Sequence, residues 1–359
     1  MSDLHIPPSK NTPTAGESIP YETNDGGLIY RIPVSAFPGL WGNVYVVLVD
    51  GYRILIDTGS GFGDSNQHLE AGLKSASEKA GVDLSLPNLT HILITHGHID
   101  HFGGLSYIRP LTTAKIGIHE LDLRVVTNHA ERLFIAARHL DEFLTEAGVS
   151  AEKRGPILDM YKITKSLYQA VPVDFTYEAL GMRLGPFEML HVPGHCPGHV
   201  VIRLHDVLFS GDHVLAEISP HQAPECITLS TGLEHYLHSL EVVRPWVKGV
   251  QLTLGGHENP ITDLNGRLNE IRAIHVQRLQ QVLDILQAPL TIAQVSRKLF
   301  GEVNGYNILL ALEETGAHVE YLYQRGLLSI ENLADLENGG NLIPIRYRCI
   351  TSQTASYPK

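Results

Sequence analysis

The chain has 359 residues, 43% of them hydrophobic and 18% charged, with a formal net charge of −12. This is the composition of a folded globular protein, longer than one average domain. The acidic balance disfavours broad electrostatic binding to nucleic acid, three widely spaced cysteines form no disulfide framework, and no apolar run approaches the roughly 18–20 residues that span a membrane.

Residues 1–25, opening "MSDLHIPPSKNTPTAGESIP", are polar and proline-rich. They lack the basic segment and apolar core of a signal peptide and read as a flexible arm on a cytoplasmic protein. "LIYRIPVSAF" (28–37), "NVYVVLVD" (43–50) and "YRILID" (52–57) are rich in Val, Ile and Tyr and bounded by Gly and Asn, which predicts strands paired as hairpins. Residues 64–81 read as a helix capped by Asp64 or Ser65. "HILIT" (91–95) is a short buried strand, and "THGHIDHFGG" begins at its C-terminal end, where α/β folds place their chemistry.

From about 120 to 175 the pattern turns helical. Leu133, Ala137, Leu140, Leu144 and Ala147 recur at spacings of three and four, one face of a helix. Strands resume at 187–192, 199–204 and 206–210, a helix follows near 231–243, and "VQLTL" (250–254) is a last strand. The order predicts an α+β fold of two sheets packed together with helices outside. A boundary falls after Asp263, followed by one long helix to Gln287. Thr291 and Gln294 have the spacing of a capping box. Two further helices (292–300, about 305–323) and a hairpin-like tail resemble a winged helix.

Four groups able to bind a metal leave one loop in His96-x-His98-x-Asp100-His101. Three more stand at later strand ends: His195 in "HVPGHCPGH", Asp212 in "LFSGDHV" and His257 in "LGGHENP". Neutral imidazole suits zinc and iron, and a carboxylate can bridge two cations. Five histidines and two aspartates suffice for two metals that share an open position.

With "LIDTGS" (55–60), these elements resemble, in kind and order over about residues 28–260, the metallo-β-lactamase-fold hydrolases. The resemblance implies an αβ/βα sandwich over residues 26–263 with a helical insert, followed by a winged-helix-like region over 264–359. It also implies that His96, His98 and His195 hold one metal and Asp100, His101 and His257 a second, with Asp212 bridging. Such a pair of divalent ions, zinc foremost with iron or manganese admissible, lowers the pKa of a bridging water, whose hydroxide attacks a carbonyl carbon or a phosphorus. Asp100 and Asp212 are then the catalytic carboxylates, Asp100 also handling the proton. Asp57 and His199 orient ligands from behind.

Around these, His221 and Tyr161 are candidates for the substrate pocket. His213 reads as a neighbour of the ligands, Cys196 as a packed small side chain and Tyr168 as core. His119, His129 and His139 read as helix-surface residues.

Asp212 separates the chain from the true metallo-β-lactamases, which usually carry Cys there, and His98 from the flavodiiron proteins, which carry Glu. His257 follows Asp212 by only 45 positions, too few for the nucleases with a large inserted domain. The tail resembles the β-lactamase-like protein 2 group, whose members include hydroxyacylglutathione-hydrolase-like and polyketide-associated thioesterases and an endoribonuclease acting on single-stranded RNA. Nucleic-acid readers contact phosphate through Lys and Arg, yet none stands between Leu299 and Gln324, where Glu313 and Glu314 stand instead. The expectation is therefore a thioesterase or esterase acting on a small-molecule acyl substrate, with no membrane partner. The tail is then a packing, pocket-roofing or homodimer-forming module. The RNA-cleaving alternative needs a hidden basic groove, and a DNA-binding metal sensor is the third reading.

Overall fold

A computed structural model describes residues 14–338 and 342–350. The first sheet runs in chain order through β1 (Ile19–Glu22), β2 (Leu28–Phe37), β3 (Leu40–Val49), β4 (Tyr52–Ile56), β5 (His91–Leu93), β6 (Lys115–Ile118) and β7 (Phe175–Thr176). It is antiparallel as far as β4 and parallel beyond. The second sheet has the order β12-β11-β10-β9-β8, built from β8 (Arg183–Leu184), β9 (Phe187–His191), β10 (Val200–Leu204), β11 (Val207–Gly211) and β12 (Leu252–Gly255).

Side chains alternate across a strand, and here both faces are used. Ile29, Tyr45, Val47, Ile54, Ile56 and Leu93 point to the second sheet and meet Phe187, Met189, Ile202 and Phe209. The intervening Tyr30, Ile32, Val44, Val46, Leu55 and Ile92 point the other way. There they pack with Leu69 and Leu73 of α1 (Ser65–Ala80), and with residues of α2 (Ile99–Phe102) and α3 (Leu105–Ile108). The outer face of the second sheet is covered by Leu240 and Val243 of α7 (Leu233–Val247) and by Leu268 and Ile271 of α8 (Leu264–Ile285). The result is the sandwich expected from the sequence. Burial on both faces also explains how β5, three residues long, keeps its place.

Residues 120–166 form α4 (Leu123–Thr127), α5 (His129–Glu146) and α6 (Ala151–Ser166). After α8 come α9 (Ile292–Phe300), α10 (Asn307–Gln324), α11 (Leu333–Asn338) and a small sheet of β13 (Leu328–Ile330) with β14 (Tyr347–Cys349). The expected capping box is made by Thr291 and Gln294. The insert and the C-terminal helices share one core, in which Leu140, Phe143 and Leu144 meet Leu283, Val295, Leu309 and Leu322.

Three expectations are corrected. Residues 19–22 are not part of an arm but an edge strand on β2, and Ser18 is buried against Ser75 of α1; the remainder of the arm to Pro13 lies outside the described residues. His119 and His129 are buried rather than on a helix surface, because each ring has a fixed partner, Glu178 for His119 and the Val125 carbonyl for His129. Asp64 precedes α1 but makes no side-chain cap. His139 is half-buried, its Nδ1 3.1 Å from the Ile227 carbonyl.

Candidate metal centre

The parallel strands β4 and β5 end side by side, which sets Asp57 beside Thr95. Asp57 accepts from the Thr95 N–H and from Thr95 Oγ1, both at 2.8 Å. It holds this position at φ +62°, a left-handed conformation uncommon outside glycine that Asp and Asn tolerate best. Beyond Thr95 the chain turns through His96 and His98 into α2, which carries Asp100 and His101. His195 follows β9, Asp212 follows β11 and His257 follows β12. All seven side chains expected to bind metal converge at one end of the sandwich.

They form two groups. The ligating atoms of His96, His98 and His195 lie within 4.8 Å of one another, as do those of Asp100, His101 and His257. Asp212 lies between the groups. One of its oxygens is 3.4 Å from His101 Nε2, and the other is 3.3 Å from His257 Nε2 and 3.8 Å from His195 Nε2. Asp100 approaches His257 Nε2 at 3.3 Å.

The opposite side of four of these rings is already engaged. Nδ1 lies 2.8 Å from Asp57 in His101, 2.7 Å from the His221 carbonyl in His195, 2.7 Å from the Trp41 carbonyl in His257 and 3.0 Å from Thr95 Oγ1 in His96. Carbonyls and carboxylates only accept, so they assign a proton to Nδ1 and turn Nε2 inward, where it can bind a cation once it carries no proton of its own. The inward atoms His96 Nε2, His101 Nε2, His195 Nε2 and Asp212 Oδ1 are buried with no hydrogen-bond partner. Buried polar atoms are rarely left so, and a cation satisfies all of them at once. Imidazole and carboxylate are the donor set of zinc, iron and manganese sites, so the residues present fit two divalent ions.

The electrostatics agree. Burial alone would deprotonate His101, but Asp212, Asp57 and Asp100 outweigh it and push its pKa up to about 10. His257 is raised in the same way, chiefly by Asp212 against burial. Burial would raise Asp100 and Asp212, but His101 and His257 hold both carboxyls below their ordinary range. Without metal, protons on two histidines neutralise two buried carboxylates. Burial dominates at His96 and His195 and lowers both, keeping those rings neutral.

His199 stacks on His96 with centroids 4.5 Å apart, and its Nε2 accepts the Asp212 N–H at 3.0 Å. His213 is buried with its ring against Tyr236. Cys196 is buried and directs its sulfur to Asp122 at 3.7 Å, and Tyr168 is buried in the core. His221 is partly open, its Nε2 2.9 Å from Glu313 on α10. The Tyr161 hydroxyl is pushed up to about 12 by burial and by Glu313. Tyr306 is 40% exposed, with Glu313, Tyr161 and Asp100 near its hydroxyl.

One residue escaped the sequence reading. Asp122 is fully buried and accepts the Gly97 N–H at 2.7 Å and the Gly198 N–H at 3.0 Å. It ties the loop of His96 and His98 to the loop of His195 and His199. A lone Asp in a helical stretch carries no sequence signal; only its partners, Gly97 between His96 and His98 and Gly198 beside His199, hint that something approaches closely. In the sequence Glu313 and Glu314 signal only an absence of positive charge.

The family model for the metallo-beta-lactamase superfamily matches residues 39–264. The chain is 26% identical over 315 residues to a protein named probable metallo-hydrolase YqjP of Bacillus subtilis, covering 84% of this chain and 93% of that one. It is 27% identical over 301 residues to a beta-lactamase-like protein 2 homolog of Drosophila melanogaster, covering 82% and 86%. It is 24% identical over 275 residues to an atrochrysone carboxyl ACP thioesterase of Claviceps purpurea, covering 72% and 67%. Among solved structures it resembles a metallo-beta-lactamase family protein of Thermus thermophilus, with a TM-score of 0.67, 26% identity and coverage of 90% and 98%.

Proposed function

The chain belongs to the metallo-beta-lactamase superfamily and is a metallo-hydrolase of that family; from this premise we propose that it cleaves a thioester or related ester of a small or medium acyl group, using two divalent cations, zinc foremost. His96, His98 and His195 would hold one ion, Asp100, His101 and His257 the other, and Asp212 would reach both. The observation that carries this reading is the set of buried, unpartnered Nε2 and Oδ1 atoms that face one another. When bound, the ions would supply Lewis acidity and a water acidified to near-neutral pH. The chain's own residues set the geometry: Asp57 fixes the His101 ring, His199 the Asp212 backbone and Asp122 the two ligand loops. Asp100 Oδ2, beside His257, is proposed to handle the proton.

Several features support an acyl substrate over RNA. Residues Ala311–Val319 of α10, where a winged helix would read nucleic acid, are buried. The wall beside Asp100 carries Tyr161, Tyr306, His221 and Glu313, largely aromatic and acidic, with Arg132 near Tyr161. A protein of similar sequence bears a thioesterase name. We read residues 26–263 as the catalytic domain and 264–359, though it shares a core with the insert, as a cover for the pocket rather than a nucleic-acid module. No helix among the described residues is long and apolar enough to cross a membrane.

The test is cleavage of a lactoyl-glutathione-type thioester by zinc-loaded protein, with Asp212→Ala and His195→Ala as blanks. Turnover lost in both variants while their fold persists is the expected result. Stoichiometric metal without thioester turnover would overturn the substrate class. Salt-sensitive cleavage of single-stranded RNA would then put the chain on the nuclease side.

A further inference from the structure

The segment after Asp212 is held against α10 by that helix's carboxylates. Glu313 Oε2 lies 2.9 Å from His221 Nε2, Glu314 Oε2 accepts the Gln222 N–H at 2.8 Å, and Glu320 Oε2 accepts the Glu225 N–H at 2.8 Å. The Glu314 contact differs from the others in what lies across the peptide. The Gln222 N–H and the His221 carbonyl belong to the same peptide unit, and that carbonyl accepts His195 Nδ1–H at 2.7 Å. A line of hydrogen bonds therefore runs from Glu314, through one planar peptide, to the far side of a ring whose Nε2 faces the metal centre.

Glu314 is fully charged and firmly held. Burial would raise its carboxyl, but Arg278, His318, His275 and His221 outweigh it and hold it down at about 2. Arg278 donates to its other oxygen at 2.5 Å. His275 and His318 stand behind it, bonded to each other at 3.2 Å, with Ser219 Oγ 2.9 Å from His275 Nε2 and the Glu314 carbonyl 2.7 Å from His318 Nδ1. Glu314 and these two rings are close enough to hold a cation. Every one of their polar atoms is nevertheless hydrogen-bonded, unlike the orphaned atoms of the metal centre, so this cluster is a scaffold for the carboxylate.

We propose that Glu314 is a positioning residue for His195, acting through the His221–Gln222 peptide, so that the C-terminal helices tune one of the two metals. Asp57 does the same directly for His101; for His195 the carboxylate stands one peptide further away. A buried negative charge at the N–H end polarises the peptide, makes its carbonyl a stronger acceptor and makes His195 Nε2 a better donor to metal. Partners of this kind are worth about 10- to 100-fold in metal affinity. The inference rests on the ligand set proposed above.

The test is zinc affinity by chelator competition in the full-length protein and in Glu314→Gln. Because that change leaves Arg278 buried without its partner, a second variant, Arg278→Met with Glu314→Met, removes both charges. His195→Ala identifies which of the two ions depends on His195. In both Glu314 variants the affinity for that ion is expected to fall at least about 10-fold, with the other ion nearly unchanged and an altered visible spectrum after cobalt substitution at the affected site. If both affinities and the spectrum stay as in the parent while only the melting temperature of the metal-free protein falls, Glu314 is structural and the inference is overturned. If the parent itself binds no pair of ions, the ligand set fails and takes this inference with it.

Discussion

Asp57 Oδ2 and His101 Nδ1 stand 2.8 Å apart, and the same carboxylate holds both the N–H and the hydroxyl of Thr95. One side chain thus fixes the end of β5 and the tautomer of a ligand on α2. Asp57→Asn keeps a residue that tolerates the left-handed backbone but turns one acceptor into a donor facing His101 Nδ1. Affinity for the ion held by His101 should fall about 10- to 100-fold, with the fold retained. Chelator competition measures it; an unchanged affinity would show that Asp57 only supports the strand end.

Gly256 precedes His257, and a Cβ there would lie 2.4 Å from Asp212 Oδ1 and 2.4 Å from His101 Cε1. Neither neighbour can retreat without leaving the centre. Gly256→Ala should therefore lose metal stoichiometry, read by elemental analysis after dialysis, while circular dichroism stays native. Two ions retained in the variant would contradict the tight packing described for the centre.

Asp122 satisfies the buried N–H groups of Gly97 and Gly198. An unsatisfied buried donor costs about 1–3 kcal/mol, so Asp122→Ala should destabilise by roughly 2–5 kcal/mol in urea titrations. Metal affinity should weaken as well, because both ligand loops loosen. A loss under about 1 kcal/mol would mean the loops are held by something else.

Metal loading should release protons. The metal-free centre keeps a proton on His101, whose pKa stands at about 10, and His257 is raised too. At pH 7 an incoming cation displaces those protons, so apparent affinity should increase with pH through the neutral range. Calorimetry in buffers of different ionisation enthalpy counts the protons. A heat independent of buffer would contradict the prediction.

The α8–α10 junction should be acid-labile. The folded pKa of Glu314 is depressed to about 2, so its contribution is full above its unfolded value of roughly 4.3 and fades as pH falls toward 2. His275 and His318, lowered by burial to about 3 and about 4, act in the same sense from about pH 6.5 downward, because the unfolded chain takes up their protons first. Stability of the parent should fall between pH 6.5 and 4, and His318→Gln should flatten that slope. Equal slopes for parent and variant would remove the histidine pair from the explanation.

Much of the centre was legible before any fold was known. Chemistry restricts metal ligands to few residue types, and their spacing marks strand ends, so His96, His98, Asp100, His101, His195, Asp212 and His257 stood out in the bare sequence, as did Asp57 in its Asp-Thr-Gly turn. Strand and helix periodicity likewise marked the sandwich and the insert. What stayed hidden were contacts that carry no local pattern. Asp122 meets Gly97 and Gly198 from 25 and 76 residues away, and Glu314 meets the Gln222 N–H from 92 residues away. A carboxylate that accepts from a backbone N–H needs no particular residue across from it, so no spacing or pairing rule records the contact. Those partnerships exist only because packing of the insert and α10 onto the sandwich brings them within reach. Residue chemistry marked the candidate ligands, and tertiary packing decided what holds them.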